Sequence, residues 1–200
     1  MNSLKTYLTF LFLTNALFIY AQSVDLKAFN TRRIKDTKTD MMILGGWALG
    51  NMAVSGILLG NTEPASKSGW GVTKGYHQMN IGWNAVNLTI AGFGYLAALK
   101  SDPATFDLFG TVNEHYKLQK LFLFNAGLDV GYVAAGAWLI ERSNSNTKNP
   151  EQMKGFGQAI IVNGAFLFIF DLANYFIQAG HNDKLKLLLT GNGMGLSLHF

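Results

Sequence analysis

The residues of this chain that could do chemistry stand inside apolar runs. Asp129 is the only charged residue between Leu121 and Ile140, and Asp171 the only one between Gly155 and Gly180. Acids inside such runs are rare and usually bind a cation or relay protons. The plainer alternative is a protonated carboxyl serving as one more hydrogen-bond donor. Around them the polar residues fall on stripes. At about 100° per residue, His77, Asn80, Asn84 and Asn87 lie within an arc of roughly 80°. Asn163, Asp171, Asn174, Gln178 and His181 share a similar arc in a later run, Asn125, Asp129 and Tyr132 in a third, and Trp47, Asn51 and Ser55 in the earliest. Facing lipid, such stripes would leave amides and carboxyls unpaired at several kcal/mol each. All four are therefore expected to point to a common interior. Counting from the run ends brings Asn51, Asn87, Asp129 and Asp171 to nearly one depth, the two carboxyls roughly 12 to 14 Å in.

Other chemistries lack their residues. With no cysteine, disulfides, thiolate zinc sites and cysteine nucleophiles are excluded. His77 and His181 belong at opposite ends and cannot jointly complete a metal site with the aspartates. Neither Glu-x-x-His nor His-Glu-x-x-His occurs, nor G-x-S-x-G, nor a P-loop. Glu114-His115 reads as solvated loop surface. No residue pattern calls for a cofactor or metal; nucleophilic hydrolase and nucleotide chemistry have no support, and an enzyme ranks behind the two functions given below.

The elements that must position the stripes follow from composition. Of 200 residues, 49% are hydrophobic and only 14% charged, where a soluble domain carries about a quarter charged. The lipid bilayer is the implied solvent. A formal charge of +4, scattered between apolar runs, offers nucleic acid no continuous basic face. Four runs, 41–60, 77–99, 121–140 and 155–180, reach the roughly 20 residues that a helix needs to span a bilayer. They lack the short alternation of barrel strands. Residues 1–21 have the layout of a signal peptide, 22–40 form a polar juxtamembrane segment, and 181–200 a tail that reads as a β-hairpin around Gly191-Asn192-Gly193. The fold expected is all-α: a signal peptide, a four-helix transmembrane bundle over 41–180, and a hairpin-like tail. Gly46 and Gly50, Gly56 and Gly60, and Gly127 and Gly131 form G-x-x-x-G steps that suit close packing. Gly75-Tyr76-x-Gln78-x-x-Ile81 matches Gly155-Phe156-x-Gln158-x-x-Ile161, as two duplicated hairpins would, although apolar helices share a small alphabet and produce such matches by chance.

Orientation is contested. The side holding 22–40 carries ten Lys and Arg against five on the other, which places it in the cytoplasm, whereas a cleaved signal places it outside.

The run Leu44-Gly45-Gly46-Trp47-Ala48-Leu49-Gly50-Asn51, with His77-Gln78-Met79-Asn80-x-x-Trp83-Asn84-x-Val86-Asn87-Leu88 and the Gly191-Asn192-Gly193 tail, resembles an uncharacterised family of small bacterial multi-pass membrane proteins over residues 30–200. That resemblance brings no activity or site residues with it. Two functions remain open. One is a structural or interaction component of the bacterial cell envelope, in the inner membrane, docking a membrane-protein partner or a second copy of the chain. The other is a small carrier or channel that moves protons or cations past Asp129 and Asp171.

Overall fold

The computed structural model describes residues 2–60, 70–145 and 148–190, with side chains at 26–60, 71–145 and 148–189. All regular structure among them is helical: α1 (Asn2–Gly60), α2 (Trp70–Lys100), a 3₁₀ turn (Pro103–Thr105), α3 (Leu108–Ser143), α4 (Pro150–Ala179) and α5 (Asn182–Thr190). Short polar signals set the boundaries. Asp102 accepts from the Ala104 N–H at 2.9 Å, and Asp107 caps α3 by accepting from the Gly110 N–H at 2.7 Å. Pro150 opens α4 where its missing N–H costs nothing. At the other end the Gly180 N–H still bonds Phe176 O before the chain turns into α5.

Helix α2 packs on α1 and on α4, and α4 on α3, so α2 and α4 form the centre and α1 and α3 the flanks. The helices alternate in direction. Gly45 meets Ala91, Asn30 meets Thr111, and Asp36 meets His181, which puts the Leu26 end of α1, the start of α3 and the start of α5 at one end of the bundle. Two crossings are backbone to backbone. A Cβ at Gly136 would stand 2.7 Å from Gly157 O, and one at Gly75 would stand 2.7 Å from Gln152 O. The glycines of the three G-x-x-x-G steps play no such part, since an added Cβ at Gly46, Gly50, Gly56, Gly60, Gly127 or Gly131 meets nothing within 4 Å. Spacing alone does not say which face of a helix a glycine occupies, and none of these stands at a close helix crossing.

The bundle is apolar outside and polar inside. Leu49, Val54, Ile57, Val86, Ile90, Phe93, Leu123, Phe124, Val130, Ile169 and Phe176 are exposed, while Asn80, Asn84, Asn163, Asp129 and Asp171 are buried. A soluble fold distributes these types the other way. An apolar core of Leu44, Ala91, Phe122 and Phe170 holds one half together, and Trp47 stacks on Phe166 at 3.8 Å beside it. Three stretches, Leu26–Gly60, Leu108–Ser143 and Pro150–Leu189, are long and apolar enough to cross a membrane. Helix α2, expected as the second span, falls short of that measure because His77, Gln78, Asn80, Asn84 and Asn87 dilute its average.

The expected segments are redrawn. Residues 2–40 continue the helix of 41–60, with no glycine or proline between 22 and 40 to stop it and no boundary at Ala21. The segment 100–120, whose Phe106, Leu108, Phe109, Val112 and Tyr116 read as an interfacial helix within a loop before the third span, is helical from Leu108 and continuous with that span. The hairpin expected in the tail is corrected over its first arm: 182–190 is helix, because Leu185 and Leu188 recur at helical spacing and Leu185 is fully buried beside α1. The rest of that hairpin, 191–200, lies outside the described residues.

Candidate functional site

The polar stripes build three clusters along the bundle. The first joins α1, α2 and α4. Asn80 donates to Asn51 Oδ1 at 3.1 Å and to Ser55 Oγ at 2.9 Å, and His77 Nδ1 lies 3.1 Å from the same hydroxyl. Asn163 donates to Asn80 Oδ1 at 2.7 Å, and its own Oδ1 accepts from Asn84 at 2.9 Å and Trp47 Nε1 at 3.3 Å. Asn87 donates to Asn84 Oδ1 at 3.4 Å. Each amide is answered by another, as burial in an apolar medium requires.

The second cluster is the acid pair. Asp129 on α3 and Asp171 on α4 are 2% and 5% exposed. Their carboxyls lie side by side with the Asn125 amide next to Asp171, and a hydrogen bond between two carboxyls requires a proton on one of them. Asp129 Oδ2 is buried and has no hydrogen-bond partner. The pair lines a groove of about 660 Å³ between α2 and α3 that also reaches Asn87, Trp83 and Tyr132. The ring of Trp83 meets Tyr132 edge-on at 4.9 Å, closing one end. Arg33, Ser101 and Glu114 stand at the other end, and aliphatic side chains including Ile90, Leu118 and Leu121 make the walls.

A third cluster, not anticipated from the sequence, ties the start of α3 to α1 and α5. Asn30 donates to Thr111 Oγ1 at 2.7 Å, and Arg33 donates to Asn30 Oδ1 at 3.1 and 3.2 Å while its guanidinium lies 4.6 Å from the Phe106 ring centroid. Gln119 donates to Asn182 Oδ1 at 2.7 Å, and His115 Nε2 lies 2.8 Å from the same oxygen. The expectation that His115 is solvated surface is corrected, for its exposure is 0%. Thr111, His115 and Gln119 recur every four residues, the signal of a buried helix face. Reading that helix as interfacial, and Glu114-His115 as solvated, hid it.

The structure thus separates residues that depth counting grouped together. Asn51 belongs to the asparagine network, Asn87 bridges from that network to the groove, and Asn125 stands beside the acids in the groove lining. Asn174 and Gln178 are buried further along α4, with Gln178 Oε1 unpartnered, and His181 Nδ1 lies 3.9 Å from Asp36. Among the described residues no cluster of three or more metal-ligating side chains occurs.

Fold and site together define an all-helical protein with a polar interior and three helices long and apolar enough to cross a membrane. The chain belongs to the family of unknown function DUF6992, whose profile matches residues 43–172 and so spans both the asparagine network and the acid pair. No curated protein and no solved structure matches it.

Proposed function

We propose that this is a four-span protein of a bacterial cytoplasmic membrane that binds a cation or an exchangeable proton at Asp129 and Asp171. Support for the fourth span is the exposed face of α2: Phe93, Leu96 and Leu99 point outward while its amides point in. The buried amides lower the average along α2, but its lipid-facing half is apolar. The observation that carries the binding reading is Asp129 Oδ2, a carboxyl oxygen buried without a partner beside a second carboxyl. Structural mortar would satisfy its own acceptors, as the neighbouring asparagines do, whereas an acceptor held open suits a ligand that donates to it.

A second reading, a structural component of the cell envelope, is favoured by that self-satisfied asparagine network. The two differ under infrared spectroscopy of the protein in lipid. If the pair binds cations, a protonated-carboxyl band present at neutral pH responds to added alkali or ammonium ions and is lost in Asp129→Asn. A band indifferent to every cation offered makes the pair structural. Flux of protons and alkali cations into proteoliposomes, parent against Asp129→Asn, then separates binding from passage.

A further inference from the structure

We infer that the groove between α2 and α3 admits a lipophilic amine sideways from the bilayer and seats its ammonium on Asp129 and Asp171. This rests on the reading of the acid pair as a cation site and names the kind of cation. The groove has the shape of an amphiphile. From the level of Asp129 to that of Glu114 is fifteen residues of α3, about 22 Å at 1.5 Å per residue, and the walls between are largely aliphatic. Hydrated alkali ions gain nothing from such walls, whereas an alkyl chain is stabilised by every CH₂ it buries.

The closed end is built for an ammonium group. A hydrogen-bonded carboxyl pair sharing one proton carries a single negative charge, which one ammonium neutralises. The open Asp129 Oδ2 accepts one of its N–H bonds. Trp83 and Tyr132, both lining this end, offer π faces to a cation. An anionic amphiphile finds no equivalent. Arg33, the cation at the far end, gives two of its N–H donors to Asn30, lies against Phe106 and has its charge offset by Glu114, which stands beside it in the groove lining. Charge complementarity therefore selects the amine, and the length of the groove selects a long chain.

The test uses the full chain in phosphatidylcholine nanodiscs, with the thermal midpoint and tryptophan fluorescence read against dodecylamine, dodecanol, dodecanoate, methylammonium and potassium. Dodecylamine is expected to bind at least about tenfold more tightly than dodecanol or methylammonium, and dodecanoate to show no saturable effect. Asp129→Asn, which keeps the shape of the side chain, and Val86→Trp, which fills the groove but leaves the acids, should each weaken dodecylamine about tenfold or more. Phe93→Trp, on the outward face of α2, should not. Methylammonium or potassium binding that depends on Asp129, with dodecylamine no better, overturns the amphiphile and leaves the cation reading standing. Indifference of all the cations to Asp129→Asn overturns both. Equal binding of amine and alcohol overturns the role of charge.

Discussion

Asn163 shows how a single side chain organises the interior. Its amide touches three helices: it donates to Asn80 and to Ala159 O, and accepts from Asn84 and Trp47. Replacing it with leucine, of similar bulk, strands the Trp47 N–H and takes one partner each from Asn80 Oδ1 and the Asn84 amide, which keep each other, in a medium that cannot hydrate them. Although one interhelical hydrogen bond in a membrane is commonly worth under about 1 kcal/mol, several buried groups lose partners here. Asn163→Leu should therefore cost about 1–3 kcal/mol, read as a lowered midpoint of unfolding in detergent, and an unchanged midpoint would mean that water reaches the network. Asp171 differs in kind. Asp171→Asn removes one carboxyl and keeps an acceptor and a donor, so the fold should tolerate it with little loss, whereas Asp171→Leu leaves Asn125 and Asp129 unanswered and should cost a few kcal/mol. Equal losses in both variants would mean that the pair does not hold its proton in a bond.

At the scale of helices, what was legible in the sequence was the stripe and what was not was the partner. The 3.6-residue period places Asn80, Asn84 and Asn87 on one face because every helix obeys that period. The end of a run in hydropathy, by contrast, marks the edge of lipid and not the end of the helix, so α3 starts at Leu108 and not at Leu121, and His115 is buried. Depth counting failed for Asn51 for a related reason: it assigns a level along the axis but not which neighbour a stripe faces. The glycines make the same point and yield a comparison. A Cβ at Gly155 would overlap Val72 O, and one at Gly157 would stand 2.5 Å from Gly136 O. Both contacts are with backbone, so the helices must separate to admit a methyl group. Gly155→Ala or Gly157→Ala should lower the thermal midpoint clearly. Gly46→Ala and Gly127→Ala, with open space around the new methyl, should be neutral or raise it, since alanine is favoured over glycine in a helix by up to about 1 kcal/mol. A reversed order would show that the outward glycines pack against a second copy of the chain.

In the whole molecule the two hairpins share one register. The Gly71 N–H donates to Glu151 Oε2 at 3.1 Å, a pair 80 residues apart, and Gly75 and Gly155, at the same offset, meet at the crossing of α2 and α4. Shifting the contacting pair Gly45 and Ala91 by that offset gives Asn125 and Asp171, which are also neighbours. A pseudo-two-fold axis between α2 and α4 relates α1–α2 to α3–α4, the arrangement of parallel repeats. It also accounts for the groove being one-sided. The cleft between α4 and α1 is filled by Trp47 on Phe166 and Asn163, whereas in its counterpart between α2 and α3 the position of Trp47 is taken by Gly127 and the space stays open. Parallel repeats of two helices each call for an even number of crossings, which supports the proposed four spans. The chain has no cysteine, which makes the consequence directly measurable. Single cysteines at Lys27, Ser101 and Asp183 should react with an impermeant maleimide from one face of sealed vesicles, and a cysteine at Asn144 from the other. If α2 lay on the surface instead, only α1, α3 and α4 would cross, and Lys27→Cys and Asp183→Cys would react from opposite faces. That result would end both the four-span reading and the two-fold.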